Sequence, residues 1–118
     1  MIDLPCPSCG FLTLEGSYGS FAICPICDWE DDGVLLANPT SVGGASGESL
    51  AQAQQKALFR LPIGVNVASG FRRGSSWRPL SSSEIRHYEA LRDDKHWHSK
   101  AVSHEGEAYW SNLGDLSI

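Results

Sequence analysis

The chain has 118 residues, 42% of them hydrophobic, which suffices for one domain with a modest core. Its formal charge of −5 is carried by residues 1 to 60, which hold seven acids against Lys56 and Arg60, while residues 61 to 118 hold seven of each sign. This balance disfavours nucleic acid as a ligand. No apolar run approaches the ~20 residues of a membrane span, and Met1-Ile2-Asp3-Leu4 has neither the basic start nor the hydrophobic stretch of an export signal, so a cytoplasmic location is expected.

Two short motifs come first along the chain, Cys6-Pro7-Ser8-Cys9-Gly10 and Cys24-Pro25-Ile26-Cys27, with fourteen residues between Cys9 and Cys24. Paired Cys-x-x-Cys turns let the thiolates of Cys6, Cys9, Cys24 and Cys27 converge on one tetrahedral ion, and zinc accepts four sulfurs at about 2.3 Å with no open position. Such a closed site holds a fold together rather than doing chemistry. In each motif the proline pre-sets a tight turn, and Gly10 and Asp28, directly after the second cysteine of each copy, tolerate the left-handed conformation that wraps amides around sulfur. Phe11-Leu12-Thr13-Leu14-Glu15 and Phe21-Ala22-Ile23 read as two strands joined by residues 16 to 20, a hairpin that sets the two knuckles side by side.

Other readings of the cysteines are weaker. A glutaredoxin-like dithiol needs a strand-helix context after one motif, where here a second motif arrives. Disulfides are disfavoured in a reducing compartment, and iron held as in rubredoxin would use the same four ligands.

Trp29-Glu30-Asp31-Asp32-Gly33 follows the second knuckle, with Trp29 expected to pack on the hairpin, and then come Val34-Leu35-Leu36 and a loop to Ser46. Gly43, Gly44 and Gly47 lack the Gly-Lys-Ser/Thr ending of a phosphate cradle and read as a connection. Ser49-Leu50-Ala51-Gln52 has the form of a capping box, and Leu50, Ala53, Ala57 and Leu58 recur at helical spacing up to Arg60, where Pro62 and Gly64 end the helix. Residues 61 to 77 read as short strand-like pieces, residues 63 to 67 among them, and a basic turn, Phe71-Arg72-Arg73-Gly74. Ser81-Ser82-Ser83-Glu84 opens a second helix with Ile85, Tyr88 and Leu91 on one face, expected to run to about Trp97. Tyr109, Trp110, Leu113, Leu116 and Ile118 give the tail enough apolar surface to fold back onto that helix.

The expected fold is therefore α+β: a zinc-ribbon or rubredoxin-knuckle β-hairpin module over residues 1 to 36, followed by an α-helical region with short strands over residues 37 to 118 packed on it. His96, His98 and His104 invite a second metal site, but residues i and i+2 diverge at a helix end, and surface histidines are the plainer reading. No nucleophile motif or paired acid-base set is visible, so the chain reads as non-enzymatic. The acids Glu30, Asp31 and Asp32 suit a basic protein partner. Arg72, Arg73 and Trp77, with Phe71 and Arg78, read as internal ion pairs or as a second protein contact, with single-stranded nucleic acid as the alternative ligand.

The N-terminal half resembles the bacterial cysteine-rich CPCC family. The likeness is carried by Pro5 to Gly10 with Phe11-Leu12-Thr13-Leu14, by Ile23 to Cys27, by Trp29-Glu30-Asp31-Asp32-Gly33, and by Gly43 to Gly47 followed by Ser49-Leu50. Ser8 stands where the family name records a third cysteine, so the resemblance implies the four ligands already named and no fifth thiol. It also implies a role as an immunity protein that neutralises a bacterial toxin. The leading expectation is thus a cytoplasmic, zinc-binding, non-catalytic protein that binds a partner such as a basic toxin domain. A nucleic-acid-binding ribbon and a thiol oxidoreductase are the alternatives.

Overall fold

The computed structural model describes residues 4–43, 47–92 and 101–111, with residues 91 and 92 described by backbone alone. In chain order the elements are β1 (Leu4–Pro5), β2 (Leu12–Leu14), α1 (Gly33–Ala37), α2 (Leu50–Arg60), β3 (Val67–Ala68), β4 (Phe71–Arg72) and α3 (Ser82–Arg92), followed by 3-10 turns at Glu105–Glu107 and Tyr109–Ser111. The α+β expectation holds, with two antiparallel strand pairs, β1 with β2 and β3 with β4.

Strand pairing differs from the expected single hairpin, because each knuckle closes on its own flanks. Pro5 pairs with Leu12 around the first knuckle, and Ile23 makes an isolated bridge with Glu30 around the second. Residues 21–23 do not form a strand against β2. Phe21 sits at φ 62°, which breaks an extended run, and its amide bonds to the Asp31 carbonyl at 2.9 Å while the Asp31 amide bonds to the Ala22 carbonyl at 2.9 Å. The fully buried Asp31 carboxylate locks this corner, accepting from the Ser20 amide at 3.0 Å and the Ser20 hydroxyl at 2.7 Å.

Residues 33–37 form a helical turn that the apolar run did not announce. Asp32 starts it, its Oδ1 accepting from the amides of Val34 at 2.9 Å and Leu35 at 3.1 Å. Gly33 is required by a close approach: a Cβ there would lie 2.5 Å from the Val102 carbonyl oxygen, and the Val102 amide donates to the Gly33 carbonyl at 2.9 Å.

In α2 the expected capping box is present, with the Gln52 amide on Ser49 Oγ at 3.1 Å and the Ser49 amide on Gln52 Oε1 at 2.9 Å. Leu50, Ala53 and Ala57 point inward, and Gln54 is buried with them. Its amide nitrogen donates to the Pro7 carbonyl at 2.9 Å and to the Tyr109 hydroxyl at 2.7 Å, and its oxygen accepts from the Leu80 amide at 3.0 Å. One side chain therefore ties the first knuckle, α2, the lead-in to α3 and the tail together. The basic stretch expected as a turn is instead strand β4, and the turn lies earlier, at Ser69 (φ 51°) and Gly70 (φ 84°), the geometry of a tight hairpin.

The second capping box also forms, Glu84 accepting from the Ser81 amide at 2.9 Å and Ser81 Oγ from the Glu84 amide at 3.2 Å. Ile85 and Tyr88 are only half-buried; the buried side chain of this helix is Glu84, which Arg78 holds through two bonds of 2.6 and 2.8 Å. The expected end near Trp97 lies outside the described residues. Tyr109 and Trp110 do fold back, but onto earlier parts of the chain. Trp110 meets Tyr18 edge to face at 6.1 Å, and the Tyr109 hydroxyl donates to the Arg78 carbonyl at 2.5 Å. Leu113, Leu116 and Ile118 lie outside the described residues.

Two substitutions test this architecture. Burial works to raise the Glu84 carboxyl, but the Arg78 hydrogen bond and then the Ser81 amide hold it below its ordinary range. A carboxylate depressed in this way stabilises the fold above its unfolded pKa of about 4.3, and that contribution fades as pH falls through the folded value. Glu84→Gln is expected to cost about 2 kcal/mol at neutral pH in urea unfolding, with the gap from the parent narrowing below pH ~4. At Gly10, where φ is 81° and a Cβ would lie 2.3 Å from the Trp77 ring, Gly10→Ala is expected to cost about 2–4 kcal/mol and to shift the tryptophan emission.

Candidate metal centre

Each knuckle is built from the same backbone bonds. In the first, the Cys6 amide donates to the Phe11 carbonyl at 2.8 Å and the Gly10 amide to the Cys6 carbonyl at 2.7 Å; in the second, the Cys24 amide donates to the Trp29 carbonyl and the Asp28 amide to the Cys24 carbonyl, both at 2.9 Å. The chain can turn this tightly because Gly10 (φ 81°) and Asp28 (φ 66°) both take the left-handed conformation expected of them.

The two turns bring the sulfurs of Cys6, Cys9, Cys24 and Cys27 within 4.8 Å of one another. Cys6 and Cys27 are 3.6 Å apart and Cys9 and Cys24 are 3.7 Å apart. A disulfide would bring a pair to about 2.05 Å, so these are free thiols. A tetrahedron with metal–sulfur bonds of about 2.3 Å has edges of about 3.8 Å, close to both spacings. Cys6, Cys9 and Cys24 are fully buried and Cys27 is half-buried. The Thr13 hydroxyl and the Ile26 amide reach Cys24 Sγ at 3.2 and 3.4 Å, donors suited to a thiolate. Burial pushes the Cys6 thiol up, sulfur contacts with Cys24 push Cys9 up, and contact with Cys27 and then Cys6 draws Cys24 down. Four such groups cannot all ionise in a buried cage without a cation, so the donor set fits a soft divalent metal in a closed site. Among the described residues this is the only convergent group of three or more Cys, His, Asp or Glu side chains. His104 is exposed at the start of a 3-10 turn, and His96 and His98 lie outside the described residues.

Later described residues cover the first knuckle, and none of the described residues donates to the matching carbonyls of the second. Three carbonyls of the first knuckle take hydrogen bonds from later residues: Pro7 from Gln54 and, at 3.3 Å, from the Trp77 indole; Cys9 from Arg73 Nε at 3.0 Å; Gly10 from the Gly74 amide at 2.7 Å. Arg73 also donates to the carbonyls of Leu61, Pro62 and Val65, and its guanidinium lies 4.5 Å above the Phe11 ring. Pro25 and Asp28 of the second knuckle, by contrast, are exposed. Beside it, between Cys27 and the Ala53 and Ala57 side of α2, lies a cleft of about 420 Å³.

The candidate contact residues are thus scattered. Asp31 is fully buried, Trp77 is 5% exposed over the first knuckle, Arg73 is half-buried among backbone carbonyls, and Asp32 caps α1. Glu30 is half-buried and Arg72 exposed. The expected acidic face is therefore interrupted, because its middle residue serves the corner at Ser20. Gln54 and Thr13 went unrecognised in the sequence. Gln54 carried a signal, being a polar residue on the stripe of Leu50, Ala53 and Ala57; Thr13 carried none.

A family model described as "Cysteine-rich CPCC" matches residues 4–60. No curated protein matches the chain. The matched stretch ends with α2, so it holds both knuckles, all four sulfurs and Gln54, while Arg73 to Trp77, which complete the cover of the first knuckle, lie beyond it. Residues 4–60 therefore form a segment similar to the cysteine-rich CPCC family.

Proposed function

We propose that the protein is a zinc-stabilised, non-catalytic binding protein that acts by docking onto another protein, in its most concrete form a cytoplasmic immunity protein that neutralises a cognate bacterial toxin. The observation that carries the metal part is the closed cage: four sulfurs within 4.8 Å, three of them fully buried. Cys6, Cys9, Cys24 and Cys27 would hold the ion, whose contribution is a cross-link between the two turns. A site with four protein ligands has no position for substrate, which favours a structural role over a catalytic one.

The protein-binding part is supported by the charge pattern and by large exposed apolar side chains. No lysine or arginine precedes Lys56, so the whole knuckle region is acidic. Phe21 is 62% exposed and Ile23 65% exposed, beside the acids Asp28 and Glu30. Such a surface suits a basic partner, with encounter steered by charge. The nucleic-acid alternative is weakened by the same charges and by the internal use of Arg73 and Trp77.

Purified protein is expected to hold one zinc per chain by elemental analysis, with no titratable free thiol; a coloured protein would assign iron instead. Metal removal by a chelator is expected to lower Tm and to broaden the NMR signals of both knuckles. Cys9→Ser is expected to weaken zinc at least ~100-fold in a competition titration. Co-production with the protein encoded beside it is expected to protect cells from that protein's toxicity. Absence of protection, together with failure of the two to co-purify, would overturn the toxin assignment.

A further inference from the structure

The two knuckles are the same structure twice, and the chain itself shows what a knuckle binds. Around the first, residues 73–77 run past with a bend at Ser75 and Ser76: Arg73 pairs with Phe11 in an antiparallel bridge, its Nε donates to the Cys9 carbonyl, the Gly74 amide donates to the Gly10 carbonyl, and the Trp77 indole donates to the Pro7 carbonyl. The aromatic ring closes over Gly10 and the guanidinium lies over Phe11. On the second knuckle the matching carbonyls belong to Pro25, Cys27 and Asp28, and no described residue donates to any of them. Exposed carbonyls of fixed direction beside apolar side chains make a surface complementary to an arginine.

The surroundings sharpen the choice of ligand. Asp28 replaces Gly10 at the left-handed position, so an aromatic ring cannot lie over that residue as Trp77 does over Gly10, and a carboxylate stands where a guanidinium can pair with it. The space for an aromatic side chain is instead the neighbouring cleft, where the small Ala53 and Ala57 leave room. Lys56 and Arg60, on the same helix, line it as well. Lys56 is already paired with Glu48 at 2.8 Å, and both long side chains offer stems and charges to an aromatic face. The chain already uses this packing three times, Arg73 on Phe11 and Trp77 and Arg78 on Tyr109.

We propose that the open face of the second knuckle, with the cleft beside it, is the docking site for a basic protein segment that presents an arginine to the Pro25, Cys27 and Asp28 carbonyls and an adjacent aromatic side chain to the cleft. This rests on the protein-binding reading and gives it a location and a ligand chemistry. The partner's segment repeats in trans what residues 73–77 do in cis.

A synthetic peptide with the sequence of residues 71–78 is a direct probe, titrated into the zinc-loaded full-length protein and followed by amide chemical shifts. Saturable shifts at residues 23–28 and 53–60 are expected. They are expected to need at least ~10-fold more peptide when the peptide carries alanine in place of Arg73, and likewise for the protein variant Asp28→Asn. Asparagine tolerates the left-handed conformation, so this variant keeps the turn, and its own spectrum reports the fold. No shifts at millimolar peptide, equal binding by the alanine peptide, or shifts confined to the first knuckle would each overturn the docking site. Shifts confined to the neighbourhood of Ile63 and Val67 would also overturn it while leaving the protein-binding reading in place. Binding at the second knuckle without protection in cells would leave the docking site standing and remove the toxin.

Discussion

Everything in the N-terminal half depends on four sulfur atoms reaching one another. The strands beside them are two and three residues long, far too short to hold a sheet in water. What holds them is convergence: two turns of identical hydrogen bonding, each made possible by one residue in the left-handed region, aim paired thiols at a common centre. Packing three fully buried thiols and a fourth into that space is unfavourable for the charged forms unless a cation joins them. Ion binding by this cage would in this sense be one equilibrium with folding, and the modest core of Leu4, Phe11, Leu14 and Trp29 packs around the four sulfurs.

The second organising constraint is the satisfaction of turn carbonyls. A tight turn directs several carbonyl oxygens outward, and burying them demands donors. Gln54, Arg73, Gly74 and Trp77 meet that demand on one side of the cage, and their reach across the sequence explains why the helical remainder wraps the knuckle module. Arg73, Trp77 and Arg78 have a structural occupation first. Their positive charge offsets the acidic half of the chain from within it.

Much of this was legible in the residues alone. The cysteine spacing gave the ligand set, the two Ser-x-x-Gln/Glu boxes gave the starts of α2 and α3, and Gly10 and Asp28 were recognisable as left-handed positions, because each of these depends on local chemistry over four or five residues. Strand partners were not legible. Residues 21–23 have strand-forming side chains, and only the buried Asp31 carboxylate, acting from the far flank of the second knuckle, bends them into a corner. Trp77 and Arg73 read as surface hot spots for the same reason: aromatic and arginine residues are suited to protein contacts whether the other side belongs to a partner or to the same chain. Nothing within their own neighbourhood in the sequence tells the two cases apart.

The reach of Arg73 and Trp77 back to Cys9 and Pro7 also sets an order of assembly. All four sulfurs lie within the first 27 residues, so a nascent chain can close the cage long before residue 77 has been made. Until then the Cys9 and Gly10 carbonyls of the first knuckle lack the donors that Arg73 and Gly74 supply, and only Gln54 reaches that knuckle, at Pro7. Synthesis of residues 73–77 then completes the cover over the first knuckle, so the timing of that one segment separates the two turns.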